Sequence, residues 1–160
     1  MSRLVLAALW LLHWLPFPAL AACGRGFGYL FYLLGRRRRH IVTTNLALCF
    51  PDMDAAERSA LARRHFAAFG RSFLERGLLW WSSPARIRQL ASITGLEHLA
   101  AQAGRPVILL APHFVGLDMG WTRLTLEFAM VSLYANQANP HFDAALYRGR
   151  LRFGDSELLS

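Results

Sequence analysis

Apolar residues dominate the first 34 positions of the chain, in two segments. Residues 4–22 form a 19-residue run without a formally charged side chain, and residues 27–34 form a second apolar segment. Nineteen residues are about the length of one bilayer crossing. His13, Pro16 and Pro18 interrupt the run. The pattern therefore fits either a kinked span followed by an interfacial helix or an anchor that lies on the membrane.

Four consecutive arginines, residues 36–39, follow the second apolar segment. A dense cluster of positive charge beside an apolar segment keeps that end of the segment on the cytoplasmic side of the membrane. The sequence Leu20-Ala-Ala-Cys23 also resembles the cleavage box of a lipoprotein signal, but the apolar and arginine-rich residues after it oppose translocation. We therefore expect residues 1–35 to be an uncleaved membrane anchor with apolar and interfacial parts.

The next part of the chain has the periodicity of helices. Residues 40–50 predict a helix that ends before a proline, and Asp54 with Glu57 three residues later forms a capping-box pattern. Apolar side chains then recur every three or four residues as far as Trp81, which predicts one long helix. Two shorter helices are predicted after it, within residues 84–93 and 95–103.

Beyond residue 104, short apolar runs alternate with helical segments. The β-branched and aliphatic run 107–111 follows a Gly-Arg-Pro turn and predicts a buried strand, and residues 130–134 predict a second one. Helices are expected after each strand, at about 116–128 and 142–152. Elements in this order form a βαβ unit with a parallel sheet. The predicted fold class is therefore α/β, with an N-terminal membrane helix and a helical region before a βαβ core.

The charge of the chain comes from arginine alone. All 18 basic residues are arginines, and with 10 acidic residues they give a formal net charge of +8. The guanidinium fork matches phosphate and carboxylate oxygens, so a membrane surface, a phosphorylated lipid, an acidic carrier protein and nucleic acid all fit the charge. The arginine block beside an apolar segment favours lipid head groups over nucleic acid. The histidines show no metal-ligand spacing, and no metal site is predicted.

The candidate chemistry lies at the end of the first predicted strand, where His113 is followed five positions later by Asp118. Open α/β sheets place their chemistry at such strand ends, and an imidazole beside a carboxylate suits a general base with its orienting partner. On one continuous helix the two side chains would point about 140° apart. They can meet only if His113 lies on the turn before the helix. The pair alone is weak evidence, because a histidine at a strand end is usually only a satisfied polar group.

Residues 111–120, Ala-Pro-His-Phe-Val-Gly-Leu-Asp-Met-Gly, together with the Arg-Gly-Arg-Leu-Arg element at 148–152, resemble the lipid A secondary acyltransferases. The wider lysophospholipid acyltransferase group shares a histidine, four residues and then an acidic residue. The N-terminal anchor with its basic residues and the stretch 39–51 are similar as well. The resemblance implies a bacterial inner-membrane enzyme, facing the cytoplasm, that moves a fatty acyl chain from acyl carrier protein to a hydroxyl of a lipid A precursor.

Carried over residue by residue, the resemblance implies His113 as the catalytic base and Asp118 as its partner. It implies Arg150, and more weakly Arg148, as the side chain that holds phosphate or developing negative charge. Gly116 would let a substrate approach the backbone closely. The motif has no serine or cysteine, which favours direct transfer without an acyl-enzyme. No cofactor is expected, because the acyl carrier protein thioester is a co-substrate.

Members of this family are about twice as long as this chain. Residues 36–160 are therefore expected to be the N-terminal part of an acyltransferase domain, apparently truncated. Two alternatives remain open. An acyltransferase of the same group could act on a lysophospholipid or a phosphoinositide mannoside, although Pro112 before the histidine favours the lipid A branch. The chain could also be a non-catalytic, membrane-anchored basic protein that binds an acidic partner or anionic lipid.

Overall fold

The computed structural model describes residues 2–159, which form two compact units. Of the described residues, one unit comprises 2–10 and 77–159, and the other comprises Leu11–Arg76. In chain order the described elements are α1 (Ser2–Leu12), α2 (Phe17–Leu34), α3 (Arg36–Cys49), α4 (Ala55–Trp81), α5 (Pro84–Leu90), α6 (Leu96–Ala100), α7 (Leu117–Leu124), β1 (Val131–Leu133), α8 (Pro140–Arg150) and β2 (Glu157–Leu159). The division predicted at residue 35 stays a prediction.

The apolar N-terminal run is not one helix. The α1 helix ends at Leu12, and α2 begins at Phe17 after Pro16 at its N-cap. Proline lacks an amide donor and is tolerated in the first helical turn, so the two prolines of this stretch start a new helix and do not bend an existing one. Residues 4–22 therefore do not form one continuous helix. The described helix that is long and apolar enough to cross a membrane is Phe17–Leu34.

The helices of the middle of the chain follow the sequence prediction closely. The Asp54 carboxylate accepts a hydrogen bond of 2.7 Å from the Glu57 amide, which is the cap predicted at this position. The helix that it starts, α4, continues to Trp81 as expected, and α3 ends at Cys49, two residues before Pro51. Local signals, namely a cap, an apolar repeat and a proline, set these boundaries.

The sheet of the first unit is small and parallel. Strand β1 pairs with β2 in the register that sets Ser132 opposite Leu158, and α8 connects the two strands. This βαβ unit differs from the predicted one: it begins at the second predicted strand, and its last strand, β2, was not predicted. The core of the unit combines buried side chains of the sheet region with those of the helices, among them Leu78, Leu79, Trp80, Ile87, Tyr134, Ala145, Leu146 and Leu158. The chain is mostly helical, and its described sheet is compatible with the α/β class.

The strand predicted over 107–111 does not form. Residues 106–114 have no regular secondary structure, and Ile108 and Leu110 are 96% and 95% exposed. A strand needs a neighbour for its hydrogen bonds, and Pro106 and Pro112 remove donors at both ends of this run. The following helix, α7, ends at Leu124 and is shorter than the predicted 116–128.

Candidate active site

The start of α7 determines where Asp118 lies. Gly116 is the N-cap residue and has φ = +96°, a left-handed conformation that glycine adopts without the strain of a Cβ. Helix α7 therefore begins at Leu117, and Asp118 lies in its first turn. His113 precedes the helix on the irregular segment, which meets the geometric condition stated for a His113–Asp118 pair.

Helix α8 carries the arginines of the Arg-Gly-Arg element. Its N-terminus is capped by the Asn139 side chain, which accepts a hydrogen bond of 3.1 Å from the Phe142 amide. Near the other end, Gly149 is buried against Trp80 so closely that a Cβ on the glycine would overlap the indole ring. Glycine at this position therefore allows α8 to approach the end of α4 that belongs to the same unit.

Asp118 and Arg150 meet although 32 residues separate them in the sequence. The Arg150 Nη2 and Nε atoms donate to Asp118 Oδ1 at 2.5 and 3.1 Å. The Asp118 and Arg150 side chains are only 15% and 25% exposed, so the ion pair is partly shielded from water and stronger than a surface pair. The Trp121 indole also donates a hydrogen bond of 3.1 Å to the Arg150 carbonyl oxygen, which joins α7 to the end of α8.

Tyr134, directly after β1, supports the same arginine from its other side. The Arg150 guanidinium lies 5.7 Å from the centre of the Tyr134 ring, within cation–π range. The Tyr134 hydroxyl donates a hydrogen bond of 2.6 Å to Asp143, which also accepts one of 2.6 Å from the Gln137 amide. Burial, assisted by the bond to Asp143, raises the pKa of Tyr134 to about 12. The two donated bonds lower the pKa of Asp143.

The structure thus brings together two of the predicted site residues, Asp118 and Arg150. His113 is exposed. The described part of the chain shows no hydrogen bond between it and Asp118, and their pairing stays a prediction. Arg148 is exposed and donates to the Ala144 carbonyl of its own helix at 3.1 Å. Open space surrounds the Cα of Gly116, so the backbone there is accessible.

Sequence reasoning missed the residues that hold this arginine in place. Tyr134 ends a predicted strand, a common place for a functional side chain, but nothing near it in sequence relates it to Arg150. Gly149 carried a clearer signal, because a glycine inside a predicted helix usually has a packing reason. Its partner Trp80 is buried in the core of the unit.

A hollow of about 380 Å³ lies elsewhere in the same unit. It is lined by Pro84, Arg88, residues 125–129 and residues 153–155, and none of the candidate residues contributes to it. Within residues 2–159, no group of three or more histidine, cysteine, aspartate and glutamate side chains is placed to hold a metal ion. The chemistry that the candidate site offers is therefore that of a half-buried carboxylate–guanidinium pair, with an exposed histidine five residues before the aspartate in the sequence.

Residues 1–158 match the family model described as bacterial lipid A biosynthesis acyltransferase. The chain is 35% identical over 140 residues to a lipid A biosynthesis acyltransferase of Haemophilus influenzae, an alignment that covers 86% of this chain and 45% of the relative. It is 33% identical over 160 residues to a lipid A biosynthesis lauroyltransferase of Escherichia coli (99% and 52%). A lipid A biosynthesis palmitoleoyltransferase of the same organism is 32% identical over 149 residues (92% and 49%).

The chain spans about half the length of the curated relatives that it matches. No solved structure matches it. The match to the family model nevertheless extends over nearly every residue and includes both His113–Asp118 and Arg150. The chain therefore belongs to the family of bacterial lipid A biosynthesis acyltransferases.

Proposed function

We propose that the protein transfers a fatty acyl chain from an acyl carrier protein thioester to a hydroxyl of a lipid A precursor at the cytoplasmic face of the inner membrane. The observation that carries the proposal is the contact between Asp118 and Arg150, which joins the two motifs of the family resemblance in one half-buried site. The names of the relatives, lipid A biosynthesis lauroyltransferase and palmitoleoyltransferase among them, support lipid A as the acceptor and a fatty acyl group as the transferred group.

In the proposed reaction His113 removes the proton of the acceptor hydroxyl as that oxygen attacks the thioester carbonyl carbon. The new C–O bond forms, the C–S bond breaks, and the leaving thiolate takes the proton back from the imidazolium. The exposure of His113 supports this role, since both substrates must reach the imidazole. General-base catalysis of this kind contributes about 10²–10⁴-fold.

Asp118 would orient the His113 ring and stabilise the imidazolium. A carboxylate can accept about four hydrogen bonds, and both bonds from Arg150 end on Oδ1. In the proposal the carboxylate accepts a hydrogen bond from the imidazole while the two bonds from Arg150 hold it in place. In this arrangement Arg150 acts first by holding Asp118, and its positive charge also favours an anionic acceptor such as a phosphorylated glycolipid.

The proposed transfer is direct and forms no acyl-enzyme, because residues 111–120 contain no serine or cysteine to act as the nucleophile. Backbone amides at the start of α7 are the proposed donors to the tetrahedral oxyanion. Gly116 leaves this backbone accessible.

The test is acyl transfer from acyl carrier protein thioester by membranes of cells that express the gene. His113→Ala should abolish transfer while the protein remains membrane-bound. His98→Ala, which removes an exposed histidine of α6, should leave transfer unchanged. Wild-type turnover by the His113 variant would remove this histidine from the chemistry.

The acceptor is tested separately, by mass spectrometry of lipid A from cells that lack the gene. The proposal expects lipid A that lacks one acyl chain. An unchanged number of acyl chains would favour an acceptor of another class, such as a lysophospholipid or a phosphoinositide mannoside.

A further inference from the structure

Helix α2 is long and apolar enough for a membrane span, but one of its faces packs against another helix of the same unit. One face of the helix, Leu20, Ala21, Gly24 and Gly28, is buried. These residues recur at helical spacing, so they form one continuous stripe along most of the helix. The element that packs against this stripe must lie at the same depth in a membrane as α2, so its charge limits how deep α2 can lie.

The partner is α4, and the two backbones touch. A Cβ on Gly24 would lie 2.5 Å from the Arg71 Cα, and a Cβ on Gly28 would overlap the Phe66 carbonyl oxygen. On the facing helix, a Cβ on Gly70 would overlap the backbone of both glycines. Aromatic contacts extend the interface in both directions: Phe27–Phe73 at 5.6 Å, Phe31–Phe66 at 5.6 Å, Phe31–Phe69 at 5.9 Å and Tyr32–Phe66 at 5.5 Å. Wherever α2 lies, this part of α4 lies with it.

The facing part of α4 is heavily charged. Between residues 63 and 76 it contains Arg63, Arg64, Arg71, Glu75 and Arg76. Arg71, the residue that contacts Gly24, forms an ion pair of 3.0 Å with Glu75 one helical turn further along. If α2 crossed the bilayer, Arg71 would lie near its centre, where charged side chains are strongly unfavourable.

α2 itself has an arginine at its midpoint. Arg25 is the ninth of 18 residues and is exposed. In a spanning helix it would lie at the centre of the hydrocarbon core, beyond the reach of snorkelling. In a helix parallel to the surface it needs only to reach the head groups.

The face of α2 opposite to α4 is uncharged. Leu30 and Leu33 lie on it and are 52% and 46% exposed, together with Ala22, Cys23 and Gly26. On an ideal helix Arg25 points about 110° away from the middle of this face. The exposed arginines 36–38 begin the next helix directly after Gly35. An apolar face with arginines at its margin is the pattern of a helix that lies in the interface of an anionic bilayer.

We propose that α2 does not cross the membrane but lies in the plane of an anionic phospholipid surface, with the Ala22–Gly26–Leu30–Leu33 face in the acyl region and α4 on the side away from the lipid. This face of α2 is therefore covered by the lipid bilayer. The arginines 25 and 36–38 contact its phosphates. This mode of attachment is independent of the acyl-transfer chemistry.

Depth measurements distinguish the two orientations. Single cysteines for nitroxide labels are placed at Ala22, Gly26, Leu30 and Leu33 of the full chain, in a Cys23→Ser, Cys49→Ser background, and the protein is bound to phosphatidylethanolamine–phosphatidylglycerol vesicles. An in-plane helix gives all four labels similar depths within a few ångströms. A spanning helix would make the label at Gly26 deepest and the one at Leu33 about 10 Å shallower, because each residue rises about 1.5 Å. That gradient, or four labels exposed to water, would overturn the proposal.

Binding to vesicles provides the second measurement. Arg37→Gln should weaken binding to phosphatidylglycerol-containing vesicles about fivefold and leave binding to pure phosphatidylcholine unchanged. Leu30→Glu should weaken binding at least tenfold. Gly26→Leu, with open space at its Cα, should bind at least as tightly as wild type. Equal binding by Leu30→Glu and Gly26→Leu would contradict a lipid-facing role of this surface.

Discussion

Arg150 fixes the carboxylate of Asp118 from a different helix, with an Nη2–Oδ1 distance of 2.5 Å. The contact indicates a task for the second arginine of the Arg-Gly-Arg element that the family resemblance alone did not suggest. Before any substrate binds, its guanidinium already holds in place the carboxylate to which the proposed mechanism assigns the orientation of His113. The arginine and the aspartate therefore act as one unit in the proposed mechanism, with Tyr134 as a positioning residue behind them.

The first prediction concerns the Asp118–Arg150 pair. Arg150→Ala and Asp118→Ala should each lower acyl transfer about 10²-fold or more, and the double variant should be little worse than either. Arg150→Lys should also fail, since an ammonium group cannot reproduce the guanidinium geometry. Activity is measured in membranes with the acyl carrier protein thioester.

Arg63→Lys, an exposed change on α4, is the control for this series and should remain within about twofold of wild type. Multiplicative losses in the Arg150/Asp118 double variant would show that the two residues act independently. In that case the contact in the structure would have no catalytic consequence.

The second prediction concerns the glycine between the arginines of α8. Gly149→Ala places a methyl group against the buried Trp80 ring and should cost about 1–3 kcal/mol through overpacking. This exceeds the roughly 1 kcal/mol by which alanine is preferred over glycine inside a helix. Thermal unfolding in detergent measures the change.

Gly120→Ala is the matched control, because Gly120 lies within α7 with nothing within 4 Å of its Cβ position. It should be neutral or stabilising by up to about 1 kcal/mol. If both variants gained stability, the close approach of α8 to Trp80 would not constrain this position.

The third prediction distinguishes the role of the Tyr134 ring from that of its hydroxyl group. Tyr134→Phe loses the bond to Asp143 and should cost about 1 kcal/mol of stability, while the ring stays beside Arg150 and activity changes little. Tyr134→Leu also loses the cation–π contact, and transfer should fall about three- to tenfold. Because the pKa of Tyr134 is raised to about 12, the stability effect of Tyr134→Phe should be constant from neutral pH to about 10. It should shrink at acid pH as Asp143, whose pKa this bond lowers, becomes protonated. Equal activity of the two variants would exclude a positioning role for the ring.

The accuracy of the sequence predictions depended on how local the determining interactions are. The cap at Asp54 and the end of α3 before Pro51 depend on residues within one helical turn, and both were predicted. The strand expected over 107–111 was wrong, because apolar composition does not tell whether a neighbouring strand is available. Asp118 and Arg150 were each identified through the resemblance, but their contact joins positions 32 residues apart and has no local sequence pattern.

The last prediction concerns the buried carboxyl of Glu75. Burial raises its pKa, and the Arg71 guanidinium 3.0 Å away offsets this only in part. A carboxyl whose pKa is higher in the folded state favours folding below its unfolded pKa, and this contribution is lost as the pH rises through the folded pKa. Glu75→Gln should therefore raise the unfolding temperature at pH 7 and flatten its decline between pH 4.5 and 7. Glu97→Gln, at an exposed position of α6, should leave the pH profile unchanged. A lower unfolding temperature of Glu75→Gln at pH 7, with no change near pH 4, would mean that the ion pair with Arg71 outweighs the cost of burying the charge.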